Sequence, residues 1–129
     1  MRKHARGMTL IELMVAVAIV AIIAAIAYPS FTDGLRKSRR AEGFKGLLTM
    51  QLKQEEYRVS NSSYSPTLSA VGNPASDYYN FSISGASATG YTLIATAKGA
   101  QSGDNSGATS CNTLTLTKAD AKTPAACWK

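Results

Sequence analysis

The chain has 129 residues, enough for one domain, and a formal net charge of +6. Half of that charge, from Arg2, Lys3 and Arg6, lies in the first seven residues, so the remainder is only mildly basic and offers little for nucleic acid. The single histidine, His4, lies in the same leader, which leaves the body of the chain without the means for a Ser–His–Asp set or a His-based metal site. No Gly-rich phosphate loop or metal-ligand cluster is present either, so an enzyme is the least supported class and no cofactor is expected.

The first element is the run Met8–Ala27, MTLIELMVAVAIVAIIAAIA, whose 20 residues match the length needed to cross a hydrocarbon core as a helix. One charge, Glu12, interrupts it, and Thr9 is its only other polar side chain. A carboxylate in such a stretch is costly and calls for a partner from outside the run. Three readings compete. A cleaved signal peptide fits the basic start and the Ala25-Ile26-Ala27 small-x-small pattern, but a charge in its apolar core weakens targeting. A plain membrane anchor is the second, and flanking charge does not orient it, because Arg36, Lys37, Arg39 and Arg40 follow the run.

The third reading rests on a resemblance. The string RGMTLIELMVAVAIVAIIAAIAYPSF, residues 6–31, resembles the N-terminus of type IV pilins and related pseudopilins. The resemblance implies that a prepilin peptidase cuts between Gly7 and Met8 and that Met8, where Phe is commonest, is then N-methylated. It puts Glu12 in the family's acidic position and Pro29 at the end of the first membrane-embedded stretch. The chain would divide into a leader, 1–7, a transmembrane and assembly helix, 8–34, and a head domain, 35–129. Cleavage would create an α-amine with a reference pKa of about 8, and Glu12 of one subunit would neutralise that amine on a neighbour. Implied partners are other pilin subunits, the prepilin peptidase, an inner-membrane assembly platform and the membrane itself before assembly. The implied location is the bacterial inner membrane, single-pass with the C-terminus in the periplasm, and then an extracellular pilus.

Beyond the run, the spacing of Ala41, Phe44, Leu48 and Leu52 predicts an apolar helix face packed on the head, within one helix over about residues 9–57. Pro29 is expected to interrupt it, and Gly34, Gly43 and Gly46 to weaken its rigidity. The basic group Arg36, Lys37, Arg39 and Arg40 reads as a contact to lipid headgroups or neighbouring subunits. Direct DNA contact is the less favoured reading, because no aromatic residues interleave with the group.

Turn-rich sequence from Ser60 to Asp77 reads as a loop, and Tyr57, Tyr64, Tyr78 and Tyr79 are expected to pack it onto the helix, with an adhesive patch as the alternative. Alternation at Tyr79, Phe81 and Ile83, at Tyr91, Leu93, Ala95 and Ala97, and at Leu114 and Leu116 predicts antiparallel strands. GAQSGDNSGATSC between the last two reads as a flexible surface loop, and its single acidic side chain, Asp104, is too few for a calcium site. In an exported chain, Cys111 and Cys127 read as one disulfide worth about 3 kcal/mol, with unpaired thiols or zinc as alternatives. Trp128 is expected to cover that bond. The resulting fold is α+β: a long N-terminal helix on a small antiparallel sheet of three or four strands with a C-terminal disulfide loop.

The order of YTLIATAKGAQ, a cysteine before TLTLT, and a terminal Cys-Trp resembles PilE-type minor pilins. That implies a structural subunit of a type IV pilus, read as a minor pilin, serving adhesion, twitching motility and DNA uptake. The alternatives are a DNA-binding competence pilin and a type II secretion pseudopilin.

Overall fold

A computed structural model describes Met1 and residues 6–129; Arg2, Lys3 and His4 of the basic leader lie outside the described residues. Helix α1 runs over Leu10–Ser60. Pro29 lies inside it and does not end it, contrary to the expected interruption. Proline deletes one donor, but neighbouring turns continue, and the Thr32 hydroxyl adds a bond to the Tyr28 carbonyl at 3.0 Å. The chain forms two compact units, Met1–Gly34 and Leu35–Lys129. In the first, the large apolar side chains from Met8 to Phe31 are all exposed. This stretch is long and apolar enough to cross a membrane.

The second unit is the head. Its sheet contains β1 (Tyr79–Ser84), β2 (Thr92–Ala97), β5 (Thr113–Thr117) and β6 (Lys122–Thr123), antiparallel in the order β1-β2-β5-β6. A separate hairpin joins β3 (Asn105–Ser106) to β4 (Thr109–Ser110). The three alternating segments form the strands expected of them, because period-two patterning sends one residue set to a single face. Register then matches size across strands: Tyr79 lies opposite Ala97 and Phe81 opposite Ala95, while Leu93 meets Leu116 and Ala95 meets Leu114. The short β6 lacks any alternation to announce it. It pairs Thr123 with Thr115, and their hydroxyls are in contact.

The helix face against this sheet is not the expected one. Ala41, Leu48 and Leu52 are exposed and Phe44 is half-buried, whereas Arg40, Gly43, Gly46, Leu47, Met50 and Gln54 are buried. The glycines decide the rotation. A Cβ at Gly43 would stand 3.2 Å from both Leu114 Cδ1 and Tyr79 Cε2, and one at Gly46 would overlap the Phe81 ring. They are the places where the helix backbone meets the β1 aromatics and β5, rather than weak points. A periodicity count registers apolar bulk and is blind to the space that glycine leaves.

Gln54 fastens the loop after the helix. Its Nε2 donates to the Ser65 carbonyl at 2.7 Å and its Oε1 accepts from the Ser65 amide at 2.8 Å, all buried. Tyr64 and Tyr79 are buried as expected, Tyr64 edge-on to Tyr91 with ring centroids 4.7 Å apart. Cys111 and Cys127 form the predicted disulfide, fully buried. Trp128 docks on the helix, stacked on Phe44 at 4.4 Å between centroids.

Candidate functional site

Two places concentrate the residues singled out by sequence. The first is the start of α1. Thr9 Oγ1 accepts the Glu12 amide at 3.2 Å, while Glu12 Oε2 accepts the Thr9 amide at 2.7 Å and the Thr9 hydroxyl at 2.9 Å. This reciprocal arrangement is a capping box, which satisfies helix-terminal donors that have no intrahelical acceptor. So Glu12 does find a partner within its own run, contrary to the expectation that none there could serve. The T-x-x-E spacing of Thr9 and Glu12 was the signal that sequence reasoning passed over. Gly7 and Met8 stand immediately before this cap, both exposed.

The second place gathers the basic group, read from the sequence as a contact to lipid headgroups or neighbouring subunits. Arg40 is only 3% exposed. Its Nε and Nη2 form a bidentate pair with Asp104, with Nη2 to Oδ1 at 2.8 Å. Nη2 also donates to the Asn105 carbonyl at 2.9 Å, and Nη1 reaches the Cys127 carbonyl at 3.4 Å. The bond to Asp104 holds the Arg40 guanidinium above its ordinary range, against the opposing effect of burial.

Around that pair, Gln101 Nε2 donates to the Tyr79 hydroxyl at 3.0 Å and to the Arg36 carbonyl at 2.8 Å. Arg36 Nη1 donates to the Gly103 carbonyl at 3.2 Å, and Arg39 lies 4.4 Å over the Tyr78 ring. Lys37 alone of the four is exposed. Three of the cations are therefore used by the head itself.

The segment expected to be a flexible loop is what they hold. Gly99–Gly103 forms a short 3₁₀ turn with Gln101 buried, followed by the β3–β4 hairpin, which turns at Gly107 with φ 62°. Asp104 lies between the two, buried beneath Arg40. It was weighed as a cation ligand; among the described residues no group of three or more His, Cys, Asp or Glu is placed to hold a metal. Asp104 and Arg40 are 64 positions apart, so nothing local in the sequence signals the pair.

A cleft of about 560 Å³ opens between the helix and the loop, lined by Glu42, Lys45, Gly46, Thr49 and residues 74–77. Glu42 accepts the Ser76 hydroxyl there at 2.6 Å. Its mixed charges and exposed floor give no convergent set of reactive groups. Elsewhere in the core, burial pushes the Tyr91 hydroxyl up to about 12, and that hydroxyl has no hydrogen-bond partner among the described residues.

Comparison with known proteins agrees with this architecture. Residues 2–28 match the family described as the prokaryotic N-terminal methylation motif. Residues 29–115 match the family described as type IV minor pilin ComP, DNA uptake sequence receptor. The type IV wide pilus major component PilA4 of Thermus thermophilus is 36% identical over 99 residues, covering 72% of this chain and 74% of that protein. The type IV major pilin protein PilA of Myxococcus xanthus is 37% identical over 67 residues, covering 52% of this chain and 30% of that protein. A solved type IV pilin structure from Shewanella oneidensis matches with a TM-score of 0.51 at 25% identity, covering 76% of this chain and 98% of that one. By the match over residues 29–115 and the Thermus relative, the chain belongs to the type IV pilin family.

Proposed function

We propose that this chain enters the bacterial inner membrane through residues 8–34, with the head, 35–129, in the periplasm. A prepilin peptidase cuts after Gly7, Met8 is N-methylated, and an assembly platform draws the subunit into a pilus. The observation that supports this best is the placement of Glu12 just after the cleavage position, at the head of a stretch, Met8 to Phe31, whose large apolar side chains are all exposed. Before assembly the carboxylate is occupied by Thr9. Cleavage then creates an α-amine one residue ahead of Thr9, and Glu12 of one subunit neutralises that amine on its neighbour, converting two charges unwelcome in hydrocarbon into one pair. Pro29 stands towards the end of the embedded stretch, within the continuous helix.

The test is Glu12→Ala in the full chain. The expected outcome is normal cleavage and membrane retention, with at least a tenfold loss of the chain from sheared filaments, as suits a pair whose partner is left unneutralised. Undiminished incorporation rejects the assignment. The minor-pilin reading is supported by the family matched over residues 29–115, while the Thermus relative is a major component. Quantifying the chain in purified pili decides it: a trace share means minor, a share equal to the filament mass means major.

A second reading, DNA capture, is favoured by that same family description. Its charges would be the exposed Lys37, Lys98, Lys118, Lys122 and Lys129, because the arginines are engaged within the head. Saturable binding of duplex DNA by detergent-solubilised chain, falling steeply with salt, supports it; no binding at low salt rejects it.

A further inference from the structure

Arg40 is a costly side chain to bury, and apolar residues of similar volume would serve stability as well as its ion pair does. What no apolar residue can do is hydrogen-bond several segments at once through one planar fork. Nε and Nη2 hold the Asp104 carboxylate, Nη2 also holds the Asn105 carbonyl, and Nη1 reaches the Cys127 carbonyl at 3.4 Å. The Asp104 carbonyl in turn accepts the Cys111 amide at 2.8 Å. One guanidinium on α1 therefore ties both cysteine-bearing segments, one directly at Cys127 and the other through Asp104. Phe44, one turn further along the same helix face, adds its stack on Trp128, the residue after Cys127. None of these contacts involves a sulfur atom.

We propose that Arg40 is the template on which the Cys111–Cys127 bond closes, holding the two segments together before the bond exists. Cross-linking then follows docking of the head on α1: a head not seated on the helix keeps two thiols, 16 positions apart on an untethered loop. The step itself is thiol–disulfide exchange with a small disulfide oxidant. One cysteine thiolate attacks the oxidant, forming a mixed disulfide and releasing one thiolate. The second cysteine thiolate displaces the remaining half. In sum, two protein thiols lose two protons and two electrons, and the oxidant leaves as two thiols. The template acts on the second, intramolecular displacement, because positioned groups react as if at high local concentration. This device belongs to the head alone and holds whether or not the chain enters a pilus.

The first experiment removes the bond and leaves the template. In the full-length chain in detergent, Cys111→Ala combined with Cys127→Ala should keep Trp128, the single tryptophan, stacked on Phe44. Acrylamide should then quench its fluorescence as it does in the oxidised chain. Quenching closer to that of the urea-unfolded chain overturns the proposal, because the segments then separate as soon as the sulfur bond is gone.

The second experiment reduces the chain and follows its re-oxidation by oxidised glutathione, counting alkylated thiols by mass. Arg40→Lys keeps a cation beside Asp104, but a single ammonium cannot also reach Cys127. It should close the bond about tenfold more slowly and accumulate the mixed disulfide with glutathione. Gly46→Ala, whose added Cβ meets Phe81 and neither cysteine segment, should close it at the unsubstituted rate. Equal rates for Arg40→Lys and the unsubstituted chain overturn the template. So does equal slowing in Gly46→Ala, the mark of a general loosening of the head. Where Arg40→Lys does not fold, the tryptophan measurement decides alone.

Discussion

The two halves of α1 are built on opposite rules. The N-terminal stretch, through Ala27, is apolar all round, leaves its large side chains exposed, and satisfies its one charged side chain by capping its own helix. The head half has fewer apolar residues, and beside Leu47 and Met50 it buries two glycines, an arginine and a glutamine. The first half is long and apolar enough to suit a hydrocarbon surrounding. The second is specified for the shapes and charges of one particular sheet and hairpin. The difference shows that hydrophobicity alone predicts neither where a helix packs nor what it packs against. Residues that permit close approach, or that end a buried hydrogen-bond network, can outrank leucine.

That contrast can be broken in measurable ways. The largest effect is expected at Arg40. Arg40→Met leaves Asp104 buried without its cation, and removing one partner of a buried pair typically costs about 3–5 kcal/mol. The head's urea midpoint should fall sharply and the hairpin should become protease-sensitive, while the proposed processing at Gly7 is unchanged. Next is Gly46→Ala, whose Cβ has no room against Phe81. Overpacking of this kind costs roughly 1–3 kcal/mol and should lower the Tm, although alanine is the better helix former. If Gly46→Ala raised the Tm, glycine would not be setting the helix rotation.

A pH profile sharpens the picture of the core. Tyr91 has a folded-state pKa of about 12, against about 10 when unfolded, so the folded head favours the neutral phenol. That contribution is complete below pH 10 and is lost as pH rises through 12. Tyr91→Phe should therefore flatten the alkaline fall in Tm, and at pH 7 it should be neutral or slightly stabilising, since the hydroxyl it removes has no partner.

The smallest effect on the head is expected at Thr9. Thr9→Ala removes the capping hydroxyl and should leave the head's Tm unchanged while reducing incorporation into filaments. Thr9→Ser, which keeps the hydroxyl, should match the unsubstituted chain. Equal behaviour of Ala and Ser in filaments would separate the cap from assembly.

Much of the fold was legible because it is written locally. The apolar run, the strand alternation at Tyr79–Ile83 and Leu114–Leu116, and the pair Cys111 and Cys127 each state their outcome within a short stretch of sequence. The T-x-x-E cap of Thr9 and Glu12 is equally local, masked by the apolar run around it. The stripe of Leu48 and Leu52 was visible too, but its direction was not, since an apolar stripe has the same period whether it faces a core or solvent.

What the sequence by itself determined is the set of elements and their chemistry: a helix with one carboxylate at its head, a small sheet, and a closed C-terminus. Only the tertiary structure decided which face of the helix is inside, that Arg36, Arg39 and Arg40 serve the head, and that residues 99–110 form an ordered turn and hairpin. The physical reason is range. Periodicity and capping depend on neighbours three or four residues apart, whereas Gly46 against Phe81 and Arg40 against Asp104 depend on shape and charge meeting across the fold.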